Sequence, residues 1–324
     1  MNCMTRTFSS GFAERIKGFV AQKRAVGHPY VDGERHMWNF DKMCVKDFPR
    51  EHELTKEVAL HWAAHKESES LCSLHARLMP IREFGKYLIR AGESAYVLPV
   101  NLTRKSKRHV PYVFTESEIA QIWDELDCMK PHKLTPVRHI VIPAVVRLLY
   151  CCGLRPSEAL RLRTCDVDLE RGRLYILKSK GSKDRVVMMS DEVLDYYRKY
   201  DAQMKVLIPL RTMFFEYSQG CAYKRTSLDR IFKDVRDKVF SYAQERQPVL
   251  YDFRHTYATH RLYKWMKEGK DLTAMVPYLN AYMGHAQLAD TYYYIHLVPG
   301  LFENMAGFDY SAFEKLLPEV EHYE

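Results

Sequence analysis

Two arginines stand where the pattern around them calls for apolar side chains. Arg155 lies between an apolar run ending at Gly153 and a helix that begins at Pro156. Arg254 follows Asp252, which reads as a helix N-cap, and shares a helical stripe with Ala258, Leu262 and Trp265. A planar guanidinium grips phosphate or carboxylate through two parallel hydrogen bonds, so arginines placed in a cleft point to an anionic ligand. Arg155 also falls at a helix N-terminus, whose free N–H groups favour anions. Structural ion pairs with Glu158 and Asp252 would explain both residues more plainly. A third group is the hairpin L-K-S-K-G-S-K-D-R-V-V. Lys178 and Lys180 share a strand face there, and Lys180 sits beside the Gly181 turn, where an ammonium can enter a groove and donate a proton. A charged edge that blocks aggregation looks the same. The fourth group is Y-M-G-H-A-Q-L-A-D-T-Y-Y-Y-I-H, in which His285 follows an apolar helix and Gly284, and Tyr292, Tyr293 and Tyr294 stand in a row. With 22 tyrosines in the chain, neither a lone histidine nor a tyrosine run is diagnostic alone.

The elements that must position these groups can be read from spacing. Residues 11–92 are helical: F-A-E-R-I-K-G-F-V-A keeps Phe12, Ile16, Phe19 and Val20 on one face, and three more helices follow. Thr55 is the expected N-cap of the third, and Pro80 the expected kink of the fourth. Residues 93–113 form an exposed basic linker carrying Arg104, Lys105, Lys107 and Arg108. A second domain occupies residues 114–296. It opens with the capping-box pattern Thr115-x-x-Glu118 and continues into a largely buried helix that stops at Gly153. Short strands are expected at Cys165–Leu169, Arg173–Lys178 and Arg185–Met189, with no further strand after them. The fold class is therefore mainly α with a small antiparallel β-sheet. In the tail, residues 297–324, Phe313, Leu316 and Leu317 keep helical spacing and Phe308 extends their apolar surface.

Composition sets the outer limits. The chain has 324 residues, 47% of them hydrophobic and 28% charged, which suits two globular domains and argues against disorder. The net charge of +8 fits a nucleic-acid partner but also an ordinary basic enzyme. None of the eight cysteines forms a C-x-x-C pair, and the opening M-N-C-M-T-R-T-F-S-S lacks an apolar core of signal-peptide length. Reduced thiols in a cytoplasmic protein are expected, with Cys151 and Cys152 as packing residues and no membrane span. His255 and His260 lack an H-E-x-x-H context, and no carboxylate cluster accompanies them, so no metal is expected. His255 reads as a supporting or helix-packing residue.

Taken together and in order, these groups resemble the catalytic domain of the tyrosine recombinase, or phage integrase, family. G-L-R-P-S-E-A-L resembles its first arginine box, K-G-S-K-D-R its hairpin lysine motif, Y-D-F-R-H-T-Y-A-T its H-x-L-R-H-T-x-A-T box, and G-H followed by Tyr-x-His its final motif. The motifs cover roughly residues 115–297. In organisation, the N-terminal helices and linker resemble the family's core-binding domain and connector. The resemblance implies Arg155 and Arg254 as a phosphate clamp, Lys180 as general acid, His285 as the histidine of the G-H box, and Tyr294 as nucleophile, with Tyr292 and Tyr293 as rivals. Glu158 would buttress the arginines. Tyr251 stands where the family usually keeps histidine; its hydroxyl can donate to phosphate but cannot exchange protons near neutral pH. The implied reaction is cleavage and rejoining of DNA through a 3′-phosphotyrosyl link, without a cofactor. The implied partner is double-stranded DNA, held also by Lys178, Lys183 and the 104–108 cluster, with four protomers on two sites and the tail docked either on its own domain or on a neighbour. The implied use is integration or excision of a mobile element. A type IB topoisomerase-like enzyme and a non-catalytic DNA-binding protein on the same scaffold are the alternatives.

Overall fold

The computed structural model describes residues 6–27, 29–67, 69–102, 111–177, 184–240 and 247–297. Contacts divide the chain into two compact units, residues 1–109 and 110–324. The first unit holds helices α1 (Ala13–Ala25), α2 (Val31–Asp47), α3 (Lys56–Ala63) and α4 (Leu71–Arg90). Phe12, Ile16, Phe19 and Val20 all face its core, where Phe12 and Phe19 meet the rings of Phe40 and Phe84. Thr55 caps α3 by accepting from the Val58 N–H, and α4 runs through Pro80 without ending. The start of the expected linker belongs to this unit: the Tyr96 N–H donates to Leu54 O at 2.7 Å, and Leu98 is buried.

The second unit begins before its expected first residue. Tyr112 and Phe114 donate their N–H groups to the Asp252 carboxylate and the Thr256 hydroxyl, so the end of the expected linker is packed, not exposed. Helix α5 (Glu116–Asp127) carries the Thr115/Glu118 capping box. Helix α6 (Arg138–Cys151) is buried on most sides, and its last residues, with Cys152, pack as expected; burial pushes the Cys151 thiol up to about 11. The helix expected at Pro156 is one turn, α7 (Pro156–Ala159). A three-stranded antiparallel sheet follows, β1 (Val167–Asp168), β2 (Arg173–Ile176) and β3 (Arg185–Met188), in that order. Strand β1 is shorter than expected because residues 164–166 close a 3-10 turn in which Asp166 binds the Arg163 N–H and guanidinium.

Helix α8 (Asp191–Leu207) precedes a hairpin the sequence pattern did not disclose, β4 (Glu216–Ser218) and β5 (Cys221–Ala222). Two strands this short carry no readable alternation. The hairpin is held instead by the buried Glu216, whose carboxylate accepts the N–H groups of Thr212, Met213 and Gly220. The described residues end in helices α9 (Arg225–Val239), α10 (Asp252–Lys267), α11 (Leu272–Met283) and α12 (Ala289–Tyr292), then a 3-10 turn over Tyr293–Leu297. No described helix is long and apolar enough to cross a membrane.

Candidate active site

The site is assembled on three chain ends, the first being the turn from α6 into α7. Gly153 makes it with a left-handed φ of 59°, and an added Cβ would lie 2.4 Å from Tyr257 Cδ1, so both backbone and space require glycine. Pro156 opens α7, and Glu158 folds back over it. One carboxylate oxygen of Glu158 accepts the Arg155 N–H at 2.9 Å, and the other accepts Arg155 Nη1 at 2.8 Å. The same carboxylate takes a second guanidinium: Arg185, from β3, donates Nη1 at 3.0 Å and Nη2 at 2.8 Å. Arg254 Nη1 stands 3.9 Å from it.

The second chain end is the carboxyl terminus of α11. Gly284, at φ 65°, stops the helix and leaves its last carbonyls without helical partners. Three consecutive ones each accept a different arginine: Tyr282 O from Arg185 Nε at 2.9 Å, Met283 O from Arg254 Nη2, and Gly284 O from Arg155 Nη2 at 3.2 Å. The negative end of the helix dipole thus faces three cations. With one carboxylate among three guanidiniums, the cluster keeps a net charge of two positive. Arg254 is fully buried; its Nη1 also donates to Gly153 O at 2.7 Å, and its Nε has no hydrogen-bond partner among the described residues. Burial, then the neighbouring Arg155 charge, pull its pKa down to about 10, still cationic at neutral pH. For Arg155 burial also opposes the charge, but Glu158 and then the neighbouring Tyr251 outweigh burial and raise the pKa.

The third chain end is the start of α10. Phe253, stacked between Phe114 at 4.6 Å and Trp123 at 6.0 Å, pins this terminus in the core. Asp252 is the first helical residue, not the N-cap, and its carboxylate accepts the N–H groups of Val249 and Tyr112; it is not the partner of Arg254. Tyr251 and His255, one turn apart, bring their rings to 4.9 Å. His255 Nδ1 lies 3.0 Å from the Tyr294 hydroxyl. Tyr294 is 3% exposed, its ring stacks on His285 at 5.8 Å, and burial pushes its pKa up. Tyr292 packs into the α10–α11 core, and Tyr293 sets its ring edge against Tyr294.

His285 is held by a directed chain. The Thr291 hydroxyl gives its single proton to Asn280 Oδ1 at 2.8 Å, so at 2.7 Å it accepts from His285 Nδ1–H. Nε2 then carries the lone pair of a neutral imidazole. Burial, followed by the charges of Arg254, Arg155 and Arg185, lowers the His285 pKa to about 3.

Of the residues singled out from sequence, Arg155, Glu158, Tyr251, Arg254, His255, His285 and Tyr294 are brought together. Lys178, Lys180, Lys183, Arg104, Lys105, Lys107 and Arg108 lie outside the described residues. The ion-pair reading is right for Arg155, which does bind Glu158, and only marginal for Arg254. Arg185 was missed, although strand alternation from the buried Val187 places it on the inner face of β3. Asn280 and Thr291 were missed as well.

Residues 113–299 match the phage integrase family. The putative integrase/recombinase y4rB of Sinorhizobium fredii is 28% identical over 311 residues, 90% of this chain and 95% of that protein. The putative integrase/recombinase y4rE of the same organism is 32% identical over 296 residues, 89% of this chain and 92% of that protein. The crystal structure of the XerH site-specific recombinase in its post-cleavage complex with palindromic difH substrate shares the fold, at a TM-score of 0.62 and 19% identity over 84% of this chain and 77% of that one. A match over more than half of the chain, together with a relative aligned along nearly its full length, shows that this chain belongs to the phage integrase family, the tyrosine recombinases.

Proposed function

We propose that this protein is a site-specific DNA recombinase, and that Tyr294 attacks the scissile phosphate to form a 3′-phosphotyrosyl link. The observation that carries the reading is the arginine cluster: three guanidiniums around the single Glu158 carboxylate, a net charge of two positive, and a buried Arg254 Nε that lacks an acceptor among the described residues. A buried donor left unpaired costs about 1–3 kcal/mol, and a phosphate oxygen would satisfy it. Negative charge builds on the non-bridging oxygens in the transition state, where preorganised cations act as an oxyanion hole does. Arg155 and Arg254 are the clamp. Arg185 and Glu158 hold the clamp in place. Lys180 protonates the leaving 5′-oxygen. The covalent link conserves the phosphodiester's energy, so rejoining needs no nucleotide hydrolysis. His285, with Nδ1 committed to Thr291, offers Nε2 as an acceptor for a protonated oxygen and cannot donate to the phosphate while neutral.

The helices of residues 1–92 and the basic residues Arg104, Lys105, Lys107 and Arg108 contribute affinity for the duplex backbone, as do Lys178 and Lys183. Strand exchange needs two DNA sites brought together, which four protomers would do; the protein would act in the cytoplasm on a mobile element. The test is covalent capture on nicked duplexes with a randomised core, whose nick lets the cleaved end diffuse away. The wild-type chain is expected to trap a subset of sequences as a protein–DNA adduct, and Tyr294→Phe to trap none. Adduct formation by Tyr294→Phe would overturn the nucleophile.

A further inference from the structure

We infer that His255 takes the proton of the nucleophile. The inference rests on the recombinase reading and adds to it a group that touches the reacting oxygen. Tyr294 has to lose its phenolic proton as it attacks, and its own tendency to do so is weak: a free tyrosine has a reference pKa of about 10. Burial weakens it further, and the nearby Arg254 and Arg155 charges offset only part of that. A base at hydrogen-bond distance is therefore needed.

Three side chains around the hydroxyl compete for the part. Tyr251 is a phenol and offers no basic nitrogen. His285 lies with its ring at 25° to that of Tyr294, its Nδ1 is held by Thr291, and it makes no hydrogen bond to the Tyr294 hydroxyl. His255 remains: its Nδ1 is 3.0 Å from the Tyr294 oxygen, within the 2.6–3.2 Å window a general base requires. Its ring is placed by α10, whose start is fixed in the core by Phe253, and by the Tyr251 ring one turn before it. The groups facing this pair are Tyr251 just before α10 and Arg254 within it, Arg155 just before α7, His285 after α11, and Asp290 from α12.

The step balances without a co-reactant. The Tyr294 O–H bond breaks and its proton passes to His255 Nδ1, while the oxygen forms a bond to phosphorus. The bond from phosphorus to the 5′-oxygen breaks, and its electron pair leaves on that oxygen, which takes a proton from the general acid. In rejoining, His255 returns its proton to the tyrosine oxygen as the phosphotyrosyl bond breaks. The imidazole absent from position 251 is thus supplied one helical turn further along the same helix face.

The experiment measures single-turnover adduct formation on a captured nicked duplex across a pH series, for wild type, His255→Asn and His255→Gln, with duplex binding measured on the same preparations. Both variants offer an amide that can accept a hydrogen bond but cannot take a proton. The expected result is DNA binding as in wild type and a rate lowered by roughly 10²-fold or more at neutral pH. The deficit should shrink as pH rises, because solution base then removes the phenolic proton. A duplex with sulfur in place of the bridging 5′-oxygen has a leaving group that needs no proton; it should not restore either variant. Cleavage by both variants at the wild-type rate, a deficit that is flat with pH, or rescue by the sulfur substrate would each overturn the assignment of His255. Failure of the wild-type chain to form any adduct would instead overturn the recombinase reading itself, so the two failures are told apart.

Discussion

Removing the Glu158 carboxylate should destabilise the second unit more than any other single change at the site. The carboxylate is 1% exposed and accepts four hydrogen bonds, two from Arg155 and two from Arg185, with Arg254 at 3.9 Å. Glu158→Ala leaves two nearly buried guanidiniums facing each other and a third close by. Breaking a buried pair from one side costs about 3–5 kcal/mol. The 13% exposure of Arg155 admits some water and favours the lower end of that range, while the lost cap on the Arg155 N–H adds about 1 kcal/mol back. For a unit of this size each kcal/mol moves the midpoint by about 2–4 °C, so a fall of about 6–20 °C is expected in the melting of the second unit. Calorimetry of the full chain resolves it. A fall below about 2 °C would refute the idea that this carboxylate holds the arginines. A double-mutant cycle sharpens the case: Glu158→Gln and Arg185→Leu together should cost less than the sum of the two by about 1–3 kcal/mol. Additivity would show that the two side chains do not act as a pair.

Two further outcomes follow from the site's electrostatics. His285 has a folded pKa near 3, below the ~6.5 of an unfolded histidine, so the unfolded chain binds the proton first. The native state is therefore at full advantage above about pH 6.5 and loses it as pH falls toward 3, by up to about 1.4 kcal/mol per pH unit. Urea unfolding at pH 7 and pH 5 should show wild type losing more stability than His285→Gln between the two, and equal losses would count against a buried neutral imidazole. Tyr251→Phe removes a hydroxyl that favours the Arg155 charge, and a hydrogen bond to a charged group is worth about 1.5–3 kcal/mol. Cleavage should fall about tenfold or more with little change in duplex affinity, and unchanged cleavage would leave the Tyr251 hydroxyl without a part in the chemistry.

What could be read from the sequence is what breaks a pattern. Arg155 and Arg254 interrupt apolar surroundings, and Gly153 and Gly284 mark helix ends, so the residues that meet at the site were visible one by one. Arg185 was not, because it stands at the end of a lysine-rich hairpin where one more basic residue looks like surface. Only its alternation with Val187, together with the Glu158 carboxylate from another element, reveals that it points inward. His255 read as no more than a supporting or helix-packing residue because its partner is the Tyr294 hydroxyl, 39 residues further on, and helical periodicity carries no information about such a contact. The hairpin of β4 and β5 depends on a buried glutamate binding backbone N–H groups, which is a loop feature without a periodic signal.

The most consequential part of the site has no side-chain signature at all. In the proposed reaction the two arginines of the clamp, and Arg185 beside them, have first to be held together without the phosphate, against their mutual repulsion. Three carboxylates would hold them but would cancel the charge that the phosphate is to find. The chain uses one carboxylate, Glu158, and takes the other acceptors from the backbone: Gly153 O and the carbonyls of Tyr282, Met283 and Gly284. A carbonyl orients a guanidinium and lowers its energy in a dry site, yet carries no net charge, so two positive charges remain available. This division of labour explains why Gly284 matters beyond ending a helix. With φ at 65° and Arg185 within 3.0 Å of where a Cβ would sit, glycine is what allows the three carbonyls to project from the end of α11 and the arginines to reach them. The electrostatics of the proposed reaction therefore depend as much on where α11 stops as on which residues carry charge.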